Sequence, residues 1–148
     1  MSEAAGYDDL YSRARREGAR ARDALLARHA WLQSDVHAWP VGWAVLVERL
    51  CGDIAKVLVE TPLPGFRVDV IREKFGGLNV QWLPWPRPPD DQSVAGRRIA
   101  ELVAAAVTQS LATCEICGRP GTERWLEGLP DREAATLCDE HAALTERA

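Results

Sequence analysis

No apolar run in the sequence approaches the ~20 residues that a membrane-spanning helix needs, so no membrane partner is expected. The opening residues Met1-Ser2-Glu3-Ala4 lack the basic and apolar segments of a signal peptide, and the expected location is the cytoplasm. Lysine is scarce: two of the 18 basic residues are lysine and the rest are arginine. Positive charge is not in excess either, with a formal net charge of -4 and a pI near 5.4. Phosphate backbones are bound by concentrated positive surface, so this balance argues against a general nucleic-acid binder. No phosphate loop, no paired-carboxylate motif and no nucleophile with a base at telling spacing occurs, so no catalytic residue is assigned and an enzyme is not expected. Disorder is excluded by composition, since 47% of the residues are hydrophobic and 27% charged.

Cysteine is rare but informative. Cys51 stands alone in an apolar helical stretch, where it reads as an inert core thiol. The other three fall in Cys114-x2-Cys117 and Cys138-x2-His141. A Cys-x2-Cys turn aims two thiolates at one centre while its backbone amides face the sulfurs. The second pair is expected where a strand, Thr136-Leu137, runs into a helix beginning near Asp139, whose N-terminal dipole stabilises the Cys138 thiolate. Three sulfurs and one imidazole make a closed tetrahedral set, which implies one structural zinc rather than a catalytic ion with an open position. Asp139 and Glu140 then read as capping groups and supports for the ligands.

Three segments are expected: a basic N-terminal helical segment over 1–40, an α+β core over 41–112, and a zinc-binding module over 113–148. In the first, Tyr7, Tyr11, Ala14, Gly18, Ala21, Leu25 and Leu32 form a thin stripe on a helix from Tyr7 to about Ser34. Arg13, Arg15, Arg16, Arg20, Arg22 and Arg28 are interleaved with it, and Gly18 weakens it enough that tertiary packing must support it. A turn over 35–40 precedes a stronger helix with an apolar face of Trp43, Leu46, Val47, Leu50, Cys51, Ile54, Val57 and Leu58. Proline and glycine in 61–65 end it.

Residues 66–83 carry a hairpin signature. Phe66, Val68, Val70 and Arg72 alternate with their neighbours, Leu78, Val80 and Trp82 resume the alternation, and Gly76-Gly77 supplies the positive φ of a tight turn. The four prolines of the segment Pro84 to Pro89 imply a loop or an extended edge. A last core helix, capped by Asp90 or Asp91, carries Ile99, Leu102, Val103, Ala106, Val107 and Leu111. The fold class is therefore α+β: amphipathic helices on a small antiparallel hairpin or sheet, with a C-terminal zinc knuckle.

The run Ile71-Arg72-Glu73-Lys74-Phe75-Gly76-Gly77-Leu78, with Cys114-Glu115-Ile116-Cys117-Gly118 and Leu137-Cys138-Asp139-Glu140-His141, resembles an uncharacterised family of small bacterial and phage proteins. Matching positions include Gly42-Trp43, Leu50-Cys51-Gly52-Asp53-Ile54, Ser110 and Trp125. Asn79-Val80-Gln81 departs from it, since the family has Arg-Phe-Tyr there. The resemblance implies the hairpin and the zinc site; it implies no activity.

Three functions follow as expectations. The first is a non-catalytic, zinc-stabilised binder of another protein, in one version an immunity- or antitoxin-like inhibitor. Glu73, Lys74 and Phe75 at the hairpin, and Trp82 and Trp85 beside the prolines, are its candidate binding residues, the two tryptophans weighed evenly against rings that pin the helices. The second is a nucleic-acid-associated regulator using the arginine-rich helix, with Arg119 and Arg124 on the knuckle; against it stands a solvated helix face with charge pairs such as Arg13–Glu17. The third is an enzyme centred on Glu73 and Lys74, weighed against a plain turn with Phe75 packed on a helix. His29 and His37 lack a nucleophile or acid at telling spacing.

Overall fold

The computed structural model describes residues 6–32, 37–83, 94–126 and 134–145. In chain order these form α1 (Tyr7–Arg28), β1 (His37–Ala38), a 3-10 turn (Val41–Trp43), α2 (Ala44–Glu60), β2 (Arg67–Lys74), β3 (Gly77–Leu83), α3 (Val94–Ser110), β4 (Thr122–Trp125), β5 (Ala134–Leu137) and α4 (Asp139–Thr145). The α+β class holds. No described helix is long and apolar enough to cross a membrane.

The main core sits between α2, α3 and one face of β2–β3. Leu46, Val47, Leu50, Cys51, Ile54 and Val57 of α2 bury the face that their spacing marks, and Trp39 and Trp43 close its start. From α3 come Ala95, Ile99 and Ala106. Leu111, expected on that face, lies past the helix end and is 38% exposed, because the chain turns at Ser110.

The sheet differs from expectation in two respects. β1, in a stretch expected to be a turn, pairs in parallel with β2, His37 opposite Ile71 and Ala38 opposite Arg72. The sheet order β1-β2-β3 is therefore mixed. Within the hairpin the pairing slips between Val68 and Val70, and this bulge resets the alternation. Val68 and Ile71 are the buried pair, three residues apart, while Val70 is only half-buried.

The turn also moves by one residue. Lys74 pairs with Gly77, which leaves Phe75 and Gly76 as the two-residue loop, with φ of 53° and 84°. Two consecutive positive φ values are the signature of a type I′ turn, whose twist matches that of the strands. Gly77 belongs to the strand. Phe75 is 59% exposed and is not packed on a helix.

The first helix ends at Arg28, before Ser34, where the His29 amide donates to Leu25 O at 3.0 Å. Gly18 explains itself: a Cβ there would stand 1.8 Å from the Trp39 carbonyl oxygen, so only glycine admits that backbone against α1. The helix serves both cores, since Leu25 joins the main cluster and Tyr7 joins the second, formed with Cys114, Leu126, Ala135, Leu137, Cys138 and Ala142. The Arg13–Glu17 pair is not formed. The α1 charges pair instead as Arg22–Asp23 at 3.2 Å and Arg28–Glu48 at 3.5 Å.

Candidate metal centre

The chain reverses at Cys114–Gly118, where the Gly118 amide donates to Cys114 O at 2.9 Å and Gly118 takes a φ of 79°. β5 then delivers Cys138 to the start of α4, and His141 follows one turn on. The four ligand atoms of Cys114, Cys117, Cys138 and His141 lie within 4.8 Å of one another. Sγ of Cys117 is 3.8 Å from Sγ of Cys138, and Nδ1 of His141 is 3.6 Å and 3.3 Å from Sγ of Cys114 and Cys138. A tetrahedral ion with bonds of about 2.3 Å to sulfur and about 2.0 Å to nitrogen has edges of roughly 3.5–3.8 Å; two of these three separations fall there and the third is slightly shorter. The cluster can therefore hold a metal ion, and the soft donor set suits zinc chemistry.

The ligands differ in surroundings. Cys114 is fully buried, and burial pushes its thiol up to about 11 against the opposing amides of Cys138, Cys117 and Ile116. Cys117 is exposed; its slight burial acts to raise the thiol, but the Arg119 side chain and amide outweigh that and hold it below the usual range. Arg119 donates from Nε to Sγ of Cys117 at 3.2 Å and from Nη2 to Sγ of Cys138 at 3.7 Å, and it pairs with Glu140. Arg124 donates to Asp139 at 2.8 Å and to Leu137 O at 3.3 Å. Glu140 thus supports the cluster through Arg119, a link that the spacing did not reveal, while Asp139 and Arg124 tie the start of α4 to β4. Both knuckle arginines expected at a nucleic acid have partners inside the module.

The module is bolted to the core by the residues that define the hairpin and the Gly42-Trp43 pair. A Cβ on Gly42 would lie 2.1 Å from Cys114 O, and the Gly42 amide donates to Glu115 O at 2.8 Å. The Trp43 indole donates to Thr113 O at 2.9 Å. On the other flank, Gly76 packs on Ala134 and Ala135, and its carbonyl accepts the Thr136 hydroxyl at 2.7 Å. Glu115, buried between the two cysteines, accepts the Thr136 amide at 2.8 Å. Ser110 is buried too: its oxygen accepts the Leu78 amide at 2.9 Å while its hydroxyl donates to Val107 O at 2.6 Å.

The remaining candidates separate. The Glu73 carboxylate accepts the Gly76 amide at 2.8 Å, closing the turn, and Glu73 also lines a cavity of about 420 Å³. Lys74 lies over the Phe75 ring, 5.9 Å from its centre, and does not line that cavity. Trp82 is 5% exposed and belongs to the core, so it is not an available binding residue. The alternation places Trp82 on the buried face, and its ring neighbours Phe66 at 5.9 Å. Trp85 lies outside the described residues. His37 is buried, with Nδ1 accepting the Ile71 amide at 3.0 Å, and the His29 ring lies tilted against Trp31 with centroids 4.8 Å apart. Trp125, which the sequence tied only to the zinc module, is 78% exposed.

No protein-family model matches the chain, and no curated protein or solved structure shows significant similarity to it.

Proposed function

We propose that this is a small, non-catalytic protein, stabilised by one zinc ion, that binds another protein through the seam between its hairpin and its metal module. Phe75 carries the reading. A bulky aromatic at positive φ is held against its own preference at a cost of about 1–2 kcal/mol, and the preferred residue before glycine in such a turn is asparagine. A strained, exposed aromatic where a cheaper residue would fold better points to selection for contact. Two further exposed apolar side chains flank the same seam. Leu111 lies 3.0 Å from the Cβ position of Gly77, and Trp125 pairs with Ala134, the neighbour of Gly76.

Zinc in this reading is structural. Four protein ligands leave no position for a reacting water, and the metal clamps a module whose own core is a small cluster. The likeness to the uncharacterised bacterial and phage family fits the same picture, because Gly42, Trp43, Gly76 and Ser110 are the residues that seat the module or the hairpin. An inhibitor of the immunity or antitoxin type is one concrete form of such a binder.

Two measurements test the proposal. Elemental analysis of untagged protein is expected to give one zinc per chain, with chelation lowering the melting temperature. Wild-type protein and a Phe75→Asp/Trp125→Asp variant are then used as baits in host extract. A protein retained by the first and lost by the second is expected; no retained protein, or the same set on both baits, sinks the binding role.

A further inference from the structure

Apart from the metal centre, three arginines converge on one cavity of about 420 Å³ between α1 and the β1 edge of the sheet. Its lining is Tyr11, Arg15 and Arg22 from α1, His37 and Ala38 from β1, and Arg72 with Glu73 from β2. We propose that this cavity is a binding site for a small dianionic oxyanion, a phosphate group or a dicarboxylate. This inference is independent of the protein-binding role.

The helix places the charges. Tyr11, Arg15, Gly18 and Arg22 fall within about 60° of one another on an α-helix of 3.6 residues per turn, so they share one stripe. Gly18, in the middle of that stripe, brings the backbone of Trp39 and Pro40 hard against α1. The close approach carries β1 with it, and the parallel register sets Arg72 opposite Ala38 across the cavity from the helix. Only the tertiary contact unites residues from three elements at one concave surface.

The charge balance favours an anion. The lining carries three arginines and one carboxylate, and Arg22 is in addition paired with Asp23, so the positive excess rests on Arg15 and Arg72, in a protein whose formal net charge is -4. That carboxylate, Glu73, already accepts the Gly76 amide. Arg22 is fixed, with Nη1 donating to His37 O at 2.9 Å and Nε to Asp23 at 3.2 Å. Arg15 lies over the Tyr11 ring at 6.0 Å, and neither Arg15 nor Arg72 forms an ion pair among the described residues. Guanidinium forks match the oxygen pairs of phosphate and carboxylate, and the volume falls in the range of small-molecule sites, about 300–1,000 Å³.

The test is calorimetric titration of the full chain at low ionic strength with inorganic phosphate and, separately, with succinate. Saturable binding of at least one is expected, and the one that saturates identifies the group. Arg15→Gln/Arg72→Gln is expected to weaken it at least about tenfold, whereas Arg13→Gln/Arg20→Gln, an equal change of charge on α1 outside the cavity, leaves it within about twofold. A second readout needs no variant: phenylglyoxal modification of wild-type Arg15 and Arg72, mapped by mass spectrometry, slows when the bound anion is present. Absence of saturable binding by both anions, equal weakening in the two variants, or unprotected Arg15 and Arg72 overturns the site.

Discussion

Thr136 and Gly76, 60 residues apart, are joined by a buried hydrogen bond in which the threonine hydroxyl donates to the glycine carbonyl at 2.7 Å. The bond ties β5 of the metal module to the tip of the hairpin. Thr136→Val keeps the shape of the side chain but strands that carbonyl without its donor. The expected loss is about 1–3 kcal/mol, read as a lower urea midpoint with an unchanged slope. An unchanged midpoint would mean that the two units are not held together at this point.

Gly42 and Gly52 lie ten positions apart and are expected to respond in opposite directions. At Gly42 a Cβ would meet the Cys114 carbonyl at 2.1 Å and Glu115 backbone at 2.4 Å, atoms that cannot swing aside. Gly42→Ala is expected to cost about 3 kcal/mol and to loosen the knuckle, visible as faster loss of metal to a chelator. Gly52 sits inside α2 with nothing within 4 Å of its Cβ position, so Gly52→Ala is expected to gain about 0.5–1 kcal/mol. Thermal melts of both variants check the pair of signs.

Phe75→Asn relieves the positive-φ strain and restores the residue that a type I′ turn favours. A gain of about 1 kcal/mol in stability is expected, together with loss of whatever protein the wild type retains. Were the variant less stable, the exposed ring would have to be contributing packing that its 59% exposure does not suggest.

Cys51 gives a pH dependence with a definite sign. Burial raises its thiol from 9.0 to about 12, with Arg28 opposing. Because the folded pKa lies above the unfolded one, the thiol's contribution is fully present below pH 9. It is lost between pH 9 and about 12, at about 1.4 kcal/mol per pH unit, as the unfolded chain sheds its proton first. Cys51→Ala lacks this slope. Urea midpoints at pH 8, 9.5 and 10.5 should therefore show the stability gap between wild type and variant closing by about 2 kcal/mol; parallel curves would contradict the burial argument.

Much of this was legible in local pattern. The broad apolar face of α2 is periodic along its whole length and buries as its spacing says, since one helix sees one core. The hairpin strands were legible too, but not their register. A bulge at 68–70 and a loop at Phe75 rather than at the second glycine both depend on what each face packs against, and glycine pairs alone do not say which of the two glycines turns. β1 was invisible because two residues carry no periodicity; it exists through its pairing with β2. Trp82 and Phe75 each carried two readings in the sequence, a binding surface or a packed ring, and burial separates them: Trp82 is core and Phe75 is exposed.

The four residues that can hold a metal ion were legible in the sequence alone, because their chemistry is local. Two Cys-x2 turns each preset a pair of donors, and any fold that brings the turns together makes one cluster. What only the tertiary structure decided is where that cluster sits and what the glycines are for. Gly18, Gly42 and Gly76 are points where distant backbone passes too close for a Cβ, or within about 3.2 Å of one in the case of Gly76. Such contacts join residues far apart along the chain, as does the Trp43–Thr113 hydrogen bond across 70 positions, and no short-range periodicity records them. The three-arginine cavity belongs to the same class, since its charges come from α1 and β2 and meet only because Gly18 lets the chain close over the helix.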